Sequence, residues 1–215
     1  MLRLFFSLSL ALIASVGFAQ VGLFSKNDLQ IKISPLALFE PETIVIQGGI
    51  EYFWSGKVST QSEIGINGGL FGMEAGRGSN ENFAFFRSRN EIKVHLKKGY
   101  VAAELFYVQK NFERLNDGYF NGELGIGYER AAIDFKVIGH GLKIGWEKFV
   151  SKNIVIDRYL GVGFRHRNNQ VEVLEGGTPG FPVESGSFTG DRYRYLGWST
   201  VPNLTLGLKI GIMTK

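Results

Sequence analysis

Ile44-Val45-Ile46-Gln47-Gly48-Gly49-Ile50-Glu51-Tyr52-Phe53-Trp54 and, after Ser55-Gly56-Lys57, Val58-Ser59-Thr60-Gln61-Ser62-Glu63-Ile64-Gly65-Ile66-Asn67-Gly68-Gly69-Leu70 form the stretch that decides the fold. In the first run the even positions are Ile, Ile, Gly, Ile, Tyr and Trp, while Gln47 and Glu51 fall on odd ones. In the second run Val58, Ile64, Ile66 and Leu70 alternate with Ser59, Gln61, Glu63, Gly65 and Asn67. A period of two places successive side chains on opposite faces of a strand. Two such runs joined by a short Gly-containing turn read as a β-hairpin.

The same alternation extends in both directions. Upstream, Ile31 and Ile33 flank Lys32 in a short strand from Leu29 to Ser34. Downstream, Ala84, Phe86, Ile92, Val94 and Leu96 alternate with Arg87, Arg89, Glu91, Lys93 and His95. Lys98-Gly99 turns the chain into a strand from Tyr100 to about Phe112, with Glu104 and Lys110 on its polar face. A sixth strand, Ala132 to Lys148, carries Leu142, Ile144 and Trp146 in one phase and Ile133, Phe135 and Val137 in the other, so a bulge near Gly139 to Gly141 is expected. Ser151-Lys152-Asn153 leads into Ile154 to Arg167, and a last strand holds Leu204, Leu206, Leu208, Ile210 and Ile212, with Pro202 at its start. Short turns alternate with long connections, the longest being Glu113 to about Arg130 and Asn168 to about Ser199. That asymmetry, the strand lengths and the aromatic residues flanking both sets of connections are features of membrane barrels. Trp54, Tyr100, Trp146 and Phe149 are expected as one girdle, and Phe71, Phe83, Phe85, Phe164 and Trp198 as the other.

Composition agrees with this class and excludes others. The 215 residues include 29 Gly, 18 Phe, 8 Tyr, 3 Trp, 5 Pro and no Cys, which rules out disulfide-stapled domains and Cys-ligated zinc folds. Met1 to Ala19 has a basic Arg3, an apolar run from Leu4 to Val16 and small residues at Gly17 and Ala19, so residues 1–19 are expected to be a cleaved signal peptide. Residues 20–215 then form one domain with no later stretch apolar enough for a transmembrane helix. Lys and Arg number 24 against 20 Asp and Glu, a surplus too small and too dispersed for nucleic-acid binding.

The expected fold is all-β: a single antiparallel up-and-down transmembrane β-barrel of about eight strands, with ten possible, located in the outer membrane. A soluble periplasmic β-barrel, with the apolar face inward, produces the same alternation. Lys32-Ile33-Ser34-Pro35-Leu36, Gly49-Ile50-Glu51-Tyr52, Gly141 to Glu147, Gly161-Val162-Gly163-Phe164 and the Pro202 to Gly211 strand together resemble an uncharacterised family of small Bacteroidota outer-membrane β-barrel proteins. The resemblance covers nearly all of residues 20–215 and implies a barrel without naming an activity. The C-terminal Ile212-Met213-Thr214-Lys215 departs from the terminal aromatic residue common in such barrels.

The polar face, read as the lumen, holds Glu51, Glu63, Glu91, Glu104, Glu147 and Asp157 against Arg87, Arg89, Lys93, Lys143, Arg165, Arg167 and Lys209. Mixed signs on a narrow bore are expected to form a self-neutralising ion-pair network, with His95 joining it, in preference to a selective channel. The loop residues Arg192, Tyr193, Arg194, Tyr195 and Trp198 are a candidate binding surface. His140 and His166, with Ser199 or Thr200 nearby, are the residues a lipid-modifying hydrolase would use, although no Gly-x-Ser-x-Gly elbow is present. A non-enzymatic structural or surface-interaction role is expected instead, with no cofactor, no metal and no nucleic acid. Outer-membrane lipid and, during biogenesis, the barrel-assembly machinery are the expected partners. No feature of the sequence names an extracellular ligand.

Overall fold

The computed structural model describes residues 24–39, 45–67, 80–182 and 192–214. The leader, Phe71 and Gly69 lie outside these residues.

The strands are β1 (Leu29–Ile33), β2 (Val45–Phe53), β3 (Val58–Asn67), β4 (Asn80–Leu96), β5 (Gly99–Phe120), β6 (Gly125–Phe149), β7 (Ile154–Glu175), the two-residue β8 (Thr178–Pro179) and β9 (Gly197–Thr214). Each of β1 to β6 pairs antiparallel with the next, and β9 pairs with both β7 and β1. The sheet therefore closes on itself as a ring of eight strands, with no unpaired edge. β8 lies outside the ring, against Ile126 and Gly127 of β6. Among the described residues no helix is long and apolar enough to cross a membrane, which says nothing of a β-barrel.

The wall is inside out relative to a water-soluble barrel. Lys32, Glu51, Lys93 and Asp157 point inward and are 0% exposed, whereas Leu204, Leu142 and Ile92 point outward and are 77%, 67% and 59% exposed. The polar face of the alternation is thus the interior. Ser62 and Asn90 interrupt the outer apolar rows as a cross-strand pair, and the Ser62 hydroxyl donates to Asn90 Oδ1 at 2.8 Å. Satisfying each other lowers the cost of leaving water. Arg158 also stands in an outer row, directly opposite Trp146.

Three expectations are corrected. First, β6 has no bulge at Gly139 to Gly141, because its register runs unbroken from Ala131 to Phe149 against β7. The apparent change of phase arises because the interior itself changes character. From Ala131 to Glu147 the odd positions of β6 face inward, with Lys143 and Glu147 near the short turns and Ile133, Phe135 and Val137 towards the long loops. Second, the stretch from Glu113 to Arg130 is not a loop. It extends β5 and β6 into a hairpin whose turn is only Asn121 to Leu124, and likewise β7 continues to Glu175 and β9 starts at Gly197. Ladder hydrogen bonds carry these mixed sequences where hydrophobic alternation is too weak to signal a strand. Third, Tyr100 and Phe85 are buried in the lumen, Phe83 packs against its apolar cluster and Phe149 packs near Phe24, so these four do not form girdles. The outward aromatic residues near the short turns are Tyr52, Trp54 and Trp146; the rings of Tyr52 and Trp54 meet edge to face at 4.7 Å, and Trp54 Nε1 donates to Thr60 Oγ1 at 3.0 Å. Towards the long loops, Phe86, Phe164 and Trp198 are exposed.

Both described chain ends lie with the short turns, since Leu29 faces Thr214 across the ladder. Phe24 stacks on Phe53 at 4.2 Å and approaches His95 and Phe149 at 5.5 Å, forming an aromatic floor beneath the barrel.

Candidate functional site

The site is the lumen, and it is built in storeys. Nearest the short turns, Lys32 Nζ lies 2.8 Å from Glu147 and 2.7 Å from Asp157, and it also pairs with Glu51. Lys93 Nζ lies 3.0 Å from Glu51 and 3.1 Å from Asp157, and the Tyr100 hydroxyl donates to Asp157 at 2.8 Å. His95 closes this layer, 3.7 Å from Glu51 and 3.5 Å from Glu147, with Ser59 at 2.8 Å from its Nε2. Above it, Lys209 lies 2.8 Å from Glu91 and 3.1 Å from Glu63. Lys143 lies 2.7 Å from Glu91 and also pairs with Glu104, which Arg89 meets at 2.9 Å. Gln47 and Gln61 donate to the two oxygens of Glu63 at 2.6 and 2.8 Å.

Residues from β1, β2, β3, β4, β5, β6, β7 and β9 meet across the bore, so no one stretch of chain contains the network. Inward glycines make room for it. A Cβ on Gly145 would fall 2.2 Å from the Tyr100 ring, and one on Gly207 would fall 2.1 Å from the Tyr159 ring. Those rings cover the ammonium groups below them: Lys93 lies 4.4 Å from the Tyr100 centroid, and Lys143 lies 4.3 Å from that of Tyr159. Burial of an unpaired charge costs several kcal/mol, which is why each carboxylate is held by more than one donor. Glu51, Glu147 and Asp157 bring oxygens within 4.8 Å of one another, a spacing that suits a metal ion. The cations at that point are the ammonium groups of Lys32 and Lys93.

Of the residues read from the sequence as a lumen network, Glu51, Glu63, Arg89, Glu91, Lys93, Glu104, Lys143, Glu147, Asp157 and Lys209 meet there. Arg87, Arg165 and Arg167 stand higher. They line a cavity of about 460 Å³ together with Arg89, Lys110, Tyr159, Asn203 and the apolar Phe106, Val108, Phe135 and Val137. Lys32 was not among the candidates, although it lies between Ile31 and Ile33 and its phase was readable; β1 is only five residues long.

At the long-loop end Tyr193 packs against the apolar cluster of the lumen. Tyr193, in a 3-10 turn over Arg192–Arg194, packs edge to face on Phe112 and Phe135, both at 4.9 Å. Lys110 donates to the Tyr193 hydroxyl at 3.2 Å, and Asn169 donates to the carbonyls of Tyr193 and Tyr195 at 2.7 and 2.9 Å. Arg194 meets Asp117 at 2.7 Å. Within the predicted loop surface, Tyr193 and Arg194 are therefore tied to the barrel, while Trp198 is open at its rim. On the outer face, the rings of His140 and His166 stack at 5.6 Å, and His166 Nδ1 lies 2.8 Å from Thr200 Oγ1.

No protein-family model, no curated protein and no solved structure matches this chain, so its residues alone carry the functional reading.

Proposed function

We propose that this chain is a small integral outer-membrane β-barrel protein, exported by a cleaved leader, with a filled charged lumen and a structural or surface-interaction role. The observation that carries this reading is the inverted wall: exposed aliphatic rows outside, buried ion pairs inside. Apolar rows facing water would be a severe aggregation hazard, whereas facing lipid they are stabilised. β6 has 25 residues, well beyond the about 9 to 11 that cross a hydrocarbon core, and its outward row changes from Trp146, Ile144, Leu142 and Ile138 to Lys136 and Asp134. The long-loop half of β5 to β7 would then stand clear of the bilayer on the extracellular side. Outer-membrane lipid and the barrel-assembly machinery are the partners this reading requires.

Cell fractionation followed by gel migration with and without heating tests it. Recovery with the outer membrane, heat-modifiable migration and a requirement for detergent are expected; a monodisperse monomer without detergent would overturn it.

A second reading, a lipid-acting hydrolase, rests on the outward His166 to Thr200 contact, which places a base beside a hydroxyl at headgroup level. Under that reading His166→Ala changes the phospholipid or lipid A profile of the host membrane; an unchanged profile removes it.

A further inference from the structure

The outer wall is not uniform around the ring. On β6, β7 and β9 its middle is aliphatic: Leu142, Val162 and Leu204 face one another across two ladders and are all exposed. On β2, β3 and β4 the corresponding outward row is Ile50, Ser62 and Asn90, and Gly48, Ile64 and Ser88 form the next row towards the long loops. Ser62 is the central outward position of β3, with Val58 and Thr60 on its short-turn side and Ile64 and Ile66 on the other. Asn90 lies between Ile92 and Val94 on one side and Ser88 and Phe86 on the other. Tyr52 and Trp54 mark the short-turn border of this wall. The polar pair therefore sits within the apolar belt, away from both of its borders.

An asparagine amide offers two N–H donors and an oxygen with two lone pairs. The Ser62 hydroxyl occupies one lone pair of Asn90 Oδ1 at 2.8 Å. Asn90 is exposed, and its Nδ2 has no hydrogen-bond partner among the described residues. Acyl chains carry no hydrogen-bonding group, so at hydrocarbon depth only another protein group satisfies these donors.

Copies of one chain enter a membrane in one orientation. A two-fold axis between them then runs along the membrane normal, and each residue meets others at its own depth. Asn90 would face Asn90. The amide suits this arrangement, because its free N–H can donate to the open lone pair of an identical amide. Gly48 and Ser88, beside the pair, are small enough to let two walls approach. Ile50, Ile64 and Ile92 are exposed around it and supply apolar contact area.

We infer that the outward face of β2 to β4 is an interface with a second copy of this chain, centred on Ser62 and Asn90. The inference rests on the outer-membrane reading, since only in lipid do those donors lack water.

The chain has no Cys, so single cysteines report proximity without background. Ile64→Cys, Ile92→Cys and Leu142→Cys are compared in membranes oxidised with copper phenanthroline, and sedimentation of the unaltered chain in dodecylmaltoside micelles is measured alongside. Disulfide-linked dimers are expected from Ile64→Cys and Ile92→Cys and not from Leu142→Cys, with a concentration-dependent dimer in sedimentation. Asn90→Leu is expected to weaken that dimer about tenfold although it makes the wall more apolar, the opposite of what non-specific clustering of apolar surfaces gives. Equal cross-linking through Leu142→Cys, or a dimer unchanged by Asn90→Leu, would overturn the interface. Cross-linking to a different protein would overturn the choice of a second copy. A monomer at every concentration that still requires detergent and shifts on heating sinks the inference and leaves the membrane reading standing, whereas a monodisperse monomer without detergent sinks both. Sedimentation of the unaltered chain decides the matter even where a variant does not fold.

Discussion

The two halves of the lumen use the same inward-facing positions for opposite ends. In the half near the short turns, acids and bases alternate across the bore, rings of Tyr100 and Tyr159 cover the ammonium groups, and Phe24 and Phe53 seal the floor. In the half near the long loops, cations gather on one wall, aromatic and aliphatic side chains fill the other, and space is left between them. An eight-stranded barrel is just wide enough for side chains to fill it. Neutralised and packed, such a bore is a plug; towards the long loops the packing loosens and a cavity remains. The difference teaches that net charge along a lumen says little until the charges are sorted by height.

The largest way to break this contrast is Lys32→Met. It leaves Glu51, Glu147 and Asp157 with one ammonium partner fewer in a fully buried layer, and a loss of about 3 to 5 kcal/mol is expected in urea unfolding of the refolded barrel. Arg167→Gln, in the upper half, is expected to leave that unfolding curve nearly unmoved; equal losses would abolish the distinction. Next in size is Gly207→Val, which forces its side chain into the space of the Tyr159 ring and is expected to cost about 1 to 3 kcal/mol, read from the same unfolding curve. Tyr193→Ala follows. It removes two edge-to-face contacts, each worth about 0.5 to 1.5 kcal/mol, and is expected to shift the same unfolding curve by that order while leaving the charged half intact.

The smallest effect is expected on the projecting hairpin. There Asn82 and Arg130 donate to Glu113 and hold its carboxyl below the usual carboxylate range. Because that pKa is lowered in the folded state, the contribution is present above the usual carboxylate value and fades as pH falls through the lowered one. Faster hydrogen exchange at the β5 to β6 tip is expected at acid pH, with the barrel wall unchanged; uniform protection across that range would remove the pair from consideration.

Much of this was legible from residue order. Ile44 to Leu70 announced a hairpin, and Glu51, Glu63, Glu91, Lys93, Glu147 and Asp157 were placed on one shared polar face by phase alone. The lengths of β5 and β6 were not legible, since Glu113 to Phe120 and Gly125 to Arg130 mix charge, glycine and aromatics without a clean period. Nor was the straight run of β6 at Gly139 to Gly141. A hydrophobic residue facing an apolar lumen is indistinguishable by pattern from one that a bulge has turned to the outside.

The sequence by itself determined an approximate strand count, the short turns and which residues share a face, because alternation and turn chemistry are local properties of the chain. Only the tertiary structure decided which face is interior, which charges lie at one height and where the lumen passes from packed ion pairs to a cavity. Those depend on closure of β9 against β1 and on the register of every ladder between them, which set neighbours across the bore that lie far apart in the chain, as Lys32 and Asp157 do at 125 positions.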